Sequence, residues 1–173
     1  MQDLRINEQR LWDTLMEMGE IGGTEKGGCN RLAGTDLDKQ SRDLFVAWCK
    51  EAGCNIAVDK IGNIFARRPG INNDLPAVGT GSHLDTQPTG GKFDGVFGVL
   101  SGVEVLRTLH ENNIQTPTPM EFSVWTNEEG SRFQPAMQGS GTYVGRFDLE
   151  TELNKTDVNG IRLGDELERI GYL

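Results

Sequence analysis

The sequence predicts an α/β fold in which a mixed, largely parallel sheet is flanked by helices. Its 173 residues correspond to one ordinary domain. Hydrophobic residues make up 36% of the chain and charged residues 25%, which is typical of a globular protein rather than a disordered one. Near the middle of the chain a predicted strand, helix and strand follow one another. This order indicates parallel strands covered by helices.

Two helices are predicted in the first third of the chain. Apolar residues at helical spacing predict the first, over about residues 7–20. The second begins at an N-cap that is either Thr35 or Asp36 and ends at Gly53. Its apolar face consists of Leu37, Leu44, Phe45 and Trp48.

Four strands and a long helix are predicted further along. Residues 55–70 contain two short strands separated by a turn. Residues 76–83 and 120–129 each contain a strand that runs into polar residues. Between them lies a helix whose broad apolar face is formed by Val96, Val99, Leu100, Val103, Leu106 and Leu109. A Gly-rich region and a short helical segment at 164–173 follow.

Composition and charge exclude several classes of function. The net charge of −9 argues against a nucleic-acid partner, which requires a basic surface that displaces counterions. No apolar run approaches the roughly 20 residues that span a membrane, and residues 1–12 lack the apolar core of a signal peptide. Cys29, Cys49 and Cys54 match no zinc-finger spacing, so we interpret them as reduced structural thiols in a cytoplasmic protein.

Residues capable of metal chemistry follow two of the predicted strands. His83 and Asp85 come after the strand that ends near residue 81, and Glu128 and Glu129 follow the strand that ends near residue 126. Ligands of such sheets bind beyond the carboxyl ends of the strands. We therefore expect these four side chains to lie on one edge of the sheet.

Each of these features also has an ordinary structural reading. His83 with Asp85 two positions on matches a metal ligand whose second ring nitrogen donates to a carboxylate, but His-x-Asp also occurs by chance. The glycines around Asp94 suit a crowded site or a simple turn. The adjacent Glu128 and Glu129 suit a bound cation or a solvated loop.

The combination favours a metal site. One histidine and several carboxylates on one edge form a mixed set of ligands that suits zinc, manganese or cobalt. The second histidine, His110, lies near the end of a predicted helix, and we interpret it as structural. Residues 89–93 lack the first glycine and the final hydroxyl of a P-loop. The Gly-Ser-Gly at 139–141 has no histidine left to pair with its serine, which argues against a serine hydrolase.

Two long blocks, residues 81–109 and 125–141, closely resemble the amidase/hydantoinase-carbamoylase family. Residues 42–53, 59–70 and 153–172 also resemble segments of this family. Its members are dinuclear metal amidohydrolases, including N-carbamoyl-L-amino-acid hydrolase, β-ureidopropionase and allantoate amidohydrolase, and they are related to aminoacylases and zinc carboxypeptidases. The resemblance implies a zinc-exopeptidase-like catalytic domain.

The resemblance also implies a role for each candidate residue. His83 corresponds to a ligand of one metal ion, with Asp85 as the residue that supports it. Asp94 corresponds to the carboxylate that bridges both ions, and Glu129 to a ligand of the other ion. Glu128 corresponds to the general acid/base, which takes a proton from a metal-activated water and returns it to the leaving nitrogen.

Further expectations follow from the same resemblance. The cofactors are two divalent ions, zinc or manganese, cobalt or nickel. The substrate is a small ureido acid or N-carbamoyl amino acid, and the full-length protein is a homodimer. Related enzymes often carry a cis peptide after the bridging carboxylate, so we predict a cis bond between Asp94 and Gly95.

Family members are more than twice as long as this chain. We therefore expect residues 1–173 to be the N-terminal portion of a catalytic domain, a truncated fold without the inserted dimerisation domain and the C-terminal remainder. Counting ligands agrees, because His83, Asp94 and Glu129 supply too few bonds for two zinc ions. Alone, the chain should hold one metal ion or none and be inactive.

Two alternatives remain open at this point. The first is an aminoacylase or peptidase of the same superfamily, which tests with acyl or peptidyl substrates would distinguish. The second is a short, non-catalytic protein that binds a partner.

Overall fold

A computed structural model describes residues 4–173, so the first three residues of the predicted domain lie outside it. The chain forms six helices and four strands in the described part. In order, they are α1 Glu8–Glu20, α2 Asp36–Glu51, β1 Asn55–Val58, β2 Ile64–Arg68, β3 Val78–His83, α3 Val96–Glu111, β4 Met120–Trp125, α4 Gln138–Tyr143, α5 Leu149–Leu153 and α6 Leu163–Ile170.

The four strands form one mixed sheet in the order β1-β2-β4-β3. The pairs β1–β2 and β2–β4 are antiparallel, and β3–β4 is parallel. A mixed sheet flanked by helices confirms the predicted fold class. The expectation that the sheet is largely parallel is wrong for the described strands, because one of their three pairings is parallel and two are antiparallel. The reason is that α3 provides a crossover between β3 and β4, whereas only a short turn joins β1 to β2.

The core lies between the sheet and the helices. All six residues of the predicted α3 face are buried, and α3 packs on β3 and β4. In α2, Phe45 and Trp48 are buried as predicted, but Leu37 and Leu44 are only half-buried. Polar residues occupy much of the buried face of this helix instead, among them Asp38, Ser41 and Arg42.

Side-chain caps fix the starts of the first two helices. The Asn7 side chain accepts the Arg10 N–H at 3.0 Å and caps α1. Thr35 is the N-cap of α2, because its hydroxyl oxygen accepts the Asp38 N–H at 3.3 Å. This decides between the two caps that the sequence allowed.

The state of the cysteines agrees with their interpretation as structural thiols. The three cysteines are unpaired and buried, and burial raises the pKa of the Cys54 thiol to about 11. Within residues 4–173, no helix has both the length and the apolar character needed to cross a bilayer.

Candidate active site

The parallel pairing of β3 with β4 brings the candidate residues together. His83 is the last residue of β3 and lies opposite Trp125, the last residue of β4. The chain therefore leaves both strands at the same edge of the sheet, as predicted from the sequence. Two loops emerge side by side, one at residues 84–95 and the other at residues 126–137.

His83 is buried and its two ring nitrogens have different surroundings. Nδ1 lies 2.8 Å from the backbone oxygen of Asp85. Because a carbonyl oxygen can only accept, Nδ1 carries the proton in the neutral ring, and the lone pair is on Nε2. Nε2 lies 3.4 Å from a carboxylate oxygen of Glu128 and 3.9 Å from one of Asp94. The Nε2 lone pair therefore faces two carboxylates.

The Asp85 carboxylate joins the two loops. It is buried, and its two oxygens accept the backbone N–H groups of Glu128 and Glu129, each at 3.2 Å. We expected this carboxylate to accept the His83 N–H, but its nearer oxygen is 3.8 Å from Nδ1. The backbone oxygen of Asp85 takes that bond instead, which leaves the carboxylate for the neighbouring loop.

Burial determines the acidity of Asp85. Burial, and next the charge of Asp38, raise the pKa of Asp85 to about 6. The charge of His83 and the two N–H donors from the other loop oppose this rise. Burial therefore disfavours the ionised form of this carboxylate, and the hydrogen-bond donors stabilise that form.

The chain turns sharply after Asp94. The predicted cis bond between Asp94 and Gly95 is wrong, because the one cis peptide bond among residues 4–173 joins Gln134 and Pro135. The reversal comes instead from a γ-turn, in which the Val96 N–H donates to the Asp94 oxygen at 2.6 Å. Gly95 adopts φ 66° and ψ −49° at its centre.

Position 95 also has no room for a side chain. A Cβ atom there would lie 2.4 Å from Nε2 of His83. The backbone at the start of α3 therefore lies directly against the face of the proposed ligand, and a side chain at this position would displace the ring.

The ligand types suit a divalent cation, but the set is incomplete in the described chain. An imidazole nitrogen and carboxylates are ligands that zinc accepts. The Glu129 carboxylate accepts a hydrogen bond from the Gln87 side chain at 3.1 Å. Across residues 4–173, no group of three or more His, Cys, Asp or Glu side chains is arranged to hold a metal ion.

A buried polar network supports the loop that carries Glu128. The Thr126 N–H donates to the Asn63 side chain at 2.9 Å, and the Asn63 amide donates to the Gly139 oxygen at 3.0 Å. Arg42, which is ion-paired with Asp38 at 2.9 Å, donates to the Thr126 hydroxyl at 3.3 Å. Sequence reasoning missed these residues, because polar side chains at such positions ordinarily face solvent.

Arg31 is the other residue that sequence reasoning missed. It is completely buried and donates to the backbone oxygen of Leu84, between His83 and Asp85. Its sequence context does not predict that it is buried, since arginines in loops are usually exposed. His110 lies in the last turn of α3, whereas the His83 ring, at the end of β3, packs against Gly95 at the opposite end of that helix.

Comparisons with known proteins give the site a context. The sequence model of peptidase family M20/M25/M40 matches residues 79–165, which include all the candidate site residues. An N-carbamoyl-L-amino-acid amidohydrolase from Rhizobium meliloti is 52% identical over 172 residues, which are 99% of this chain and 41% of that protein. A ureidoglycolate hydrolase from Arabidopsis thaliana is 32% identical over 157 residues, which are 91% of this chain and 33% of that protein.

Solved structures agree with these sequence relatives. A crystal structure of a hydantoinase/carbamoylase family amidase from Burkholderia multivorans superposes with a TM-score of 0.96 at 56% identity. The match covers 98% of this chain and 41% of that one. The chain thus spans about two fifths of the length of this amidase and of the Rhizobium meliloti protein.

Proposed function

This chain belongs to peptidase family M20/M25/M40, and from this premise we propose that the whole protein is a metal-dependent amidohydrolase. Its substrates are N-carbamoyl amino acids or related ureido acids, whose C–N bond it hydrolyses. The observation that carries the proposal is the His83 ring, whose Nε2 lone pair faces Asp94 and Glu128. The names of the relatives support the substrate class.

In this proposal the site holds two divalent ions, zinc or manganese, cobalt or nickel. His83 would help to hold one ion and Glu129 the other, and the Asp94 carboxylate would serve both. When bound, the ions polarise the substrate carbonyl and make a water molecule acidic. Asp85 contributes by positioning, because it holds the backbone of Glu128 and Glu129 at a fixed distance from its own loop.

Glu128 is the general acid/base in this proposal. Its side chain is 31% exposed, so it is open to solvent and substrate while its oxygen stays 3.4 Å from the His83 ring. It accepts the proton of the attacking water and delivers it to the nitrogen that leaves. Hydrolysis of an N-carbamoyl group in this way yields ammonia, carbon dioxide and the free amino acid.

The described residues provide only part of such a site. His83, Asp94 and Glu129 supply at most four bonds if Asp94 bridges, which is too few for two zinc ions. We propose that the other ligands, the groups that bind the substrate carboxylate and a dimerisation domain belong to the length of the relatives that this chain does not cover. On this view the active form is a cytoplasmic homodimer, and residues 1–173 alone are inactive.

The test is an ammonia-release assay of the product of the complete gene with N-carbamoyl-L-amino acids and ureidoglycolate. We expect activity that a chelator abolishes and that zinc, manganese, cobalt or nickel restores. Glu128→Gln should lower kcat about 10²–10⁴-fold with metal content unchanged. Glu121→Gln is the matched control, since this carboxylate pairs with Arg67 near the other end of β4, and it should leave kcat unchanged.

Three results would contradict the proposal. One is activity that persists after metal removal, and another is full activity in Glu128→Gln. The third is cleavage of N-acetyl amino acids or dipeptides without cleavage of ureido compounds, which would identify an aminoacylase or peptidase instead.

A further inference from the structure

The Arg31 side chain contacts the loop that follows His83. Its guanidinium is fully buried, and its Nε donates to the Leu84 oxygen at 2.8 Å. Leu84 lies between His83, the proposed metal ligand, and Asp85, whose backbone oxygen accepts the His83 N–H. The other Arg31 contacts are made by Nη1, with the Met18 oxygen at 3.2 Å, the Ile21 oxygen at 2.6 Å and the Cys29 sulfur at 3.2 Å.

This arginine is unusual because, within residues 4–173, none of its hydrogen bonds goes to a carboxylate. In the same part of the chain, its buried Nη2 has no hydrogen-bond partner. The charges that attract it through space include those of Asp38 and Asp85. Burying a guanidinium in this way is costly. Its contacts therefore indicate a purpose beyond packing.

The backbone around Arg31 shows which part of the loop depends on the side chain. The Arg31 N–H donates to the Thr86 hydroxyl at 2.8 Å, and the Thr86 N–H donates to the Arg31 oxygen at 2.9 Å. Backbone bonds in both directions also join Cys29 to Gly90. These bonds fix the far side of the loop. The Leu84 carbonyl, which follows the end of β3, is bound by the guanidinium.

We propose that Arg31 is a positioning residue that holds the Leu84–Asp85 backbone where the Asp85 oxygen accepts the His83 Nδ1–H. It thereby keeps the Nε2 lone pair directed toward Asp94 and Glu128. Arg31 acts through the backbone and touches neither substrate nor metal. This inference rests on the proposed function in one respect, which is that the Nε2 lone pair binds a metal ion.

The test measures the tautomer of His83 directly, by ¹⁵N NMR of the imidazole rings in the described chain at a pH of about 8.5, where histidine is neutral. With only two histidines in the sequence, His110 serves as an internal reference. We expect well-separated ¹⁵N shifts for the wild-type His83 ring, with the proton on Nδ1. Arg31→Lys keeps the charge but loses the planar set of donors. It should bring the two His83 shifts toward each other while those of His110 stay unchanged.

Arg68→Met is the matched control. Arg68 is also buried, has one nitrogen without a partner and donates to a backbone oxygen, that of Ile114. It should lower the melting temperature and leave the His83 shifts at their wild-type values. Unchanged His83 shifts in a folded Arg31→Lys would overturn the proposal, as would equal changes in Arg68→Met. If Arg31→Lys does not fold, the wild-type spectrum still tests the proposal. A His83 proton on Nε2 instead of Nδ1 in the wild-type chain would overturn it.

A zinc titration separates this inference from the proposed function. If the wild-type chain binds zinc, Arg31→Lys should weaken binding about 10–100-fold, as for other residues that orient a ligand. Unchanged zinc affinity in a variant with shifted His83 resonances would overturn the link from tautomer to metal. A protein from the complete gene that neither binds metal nor cleaves ureido compounds would refute the proposed function, whereas the NMR result alone decides the role of Arg31.

Discussion

At the scale of single residues, Gly95 shapes the site although it carries no functional group. It combines a positive φ with close contact to the His83 ring. Both conditions exclude a side chain, and together they place Asp94 and the start of α3 beside the imidazole. The position of the proposed metal ligand therefore depends on a residue without a side chain.

We therefore expect Gly95→Ala to lower the free energy of unfolding by about 3 kcal/mol, through backbone strain and overlap with His83. The measurement is urea-induced unfolding. Gly145→Ala is the control for backbone strain alone, because Gly145 has φ 73° and open space around it. It should cost about 1 kcal/mol. Equal losses in the two variants would show that contact with His83 contributes nothing.

At the scale of the elements, α1 is attached to α3 through a buried carboxylate. The Glu104 oxygens accept Nε and Nη2 of Arg10 at 2.7 and 2.8 Å, and the Asn7 N–H at 2.9 Å. The side chain of Glu104 is 1% exposed. Burial alone would raise the pKa of Glu104, but the bonds from Arg10 and Asn7 outweigh it and hold the pKa below its ordinary value.

This arrangement predicts how stability depends on pH. Because the pKa of Glu104 is lower in the folded state, its contribution is complete above the unfolded pKa of about 4.3 and is lost as the pH falls through the folded value. Glu104→Gln should cost about 2 kcal/mol at pH 7. The gap between wild type and variant should close in acid. Urea unfolding at several pH values measures this.

Glu111→Gln provides the control for this prediction. Glu111 pairs with the same arginine, but its side chain is 54% exposed. Its loss should cost less than about 1 kcal/mol. A cost for Glu104→Gln that is no larger, or that persists unchanged at acid pH, would contradict the role assigned to the buried carboxylate.

The elements also show what the sequence can predict. The strands that end near His83 and Trp125, and the apolar face of α3, follow from periodicity and therefore from local sequence. The short helices α4 and α5 were not predicted, because five or six residues carry no helical repeat. In α2, Asp38 and Arg42 lie on the buried face, where polar side chains are expected only if tertiary contacts satisfy them.

The same division applies to the candidate site. Its carboxylates and histidine could be placed on one edge, because strand ends determine that edge. The γ-turn at Gly95 and the backbone oxygen that orients His83 are contacts between residues only two apart in sequence, but their geometry leaves no periodic pattern that sequence reasoning could detect. The support from Arg31 joins segments distant in sequence, and no local pattern encodes such a contact.

At the scale of the whole molecule, Arg132 joins the loop after Glu129 to the end of the chain. Its Nε lies 3.1 Å from an Asp157 oxygen and its Nη2 lies 2.7 Å from a Glu166 oxygen. Nη1 donates to the Ala33 oxygen at 3.0 Å. One side chain, 11% exposed, therefore connects its own loop to the segment that contains Ala33 and to residues 157–166.

We expect Arg132→Met to lower the free energy of unfolding by about 2–3 kcal/mol, because two largely buried carboxylates lose a partner. The loss should also be local. Glu166 lies in α6, so hydrogen exchange of the α6 amides should accelerate more than exchange in α3, whose contacts with the sheet are unchanged. Arg162→Met is the control, since Arg162 pairs with Asp165 in its own helical turn and both side chains are about half exposed. It should change stability by less than about 0.5 kcal/mol.

Equal acceleration of hydrogen exchange in α3 and α6 would mean that Arg132 stabilises the fold as a whole. Faster exchange confined to α6 and the loop after Glu129 would show that the end of the chain and the proposed catalytic loop are held by one residue.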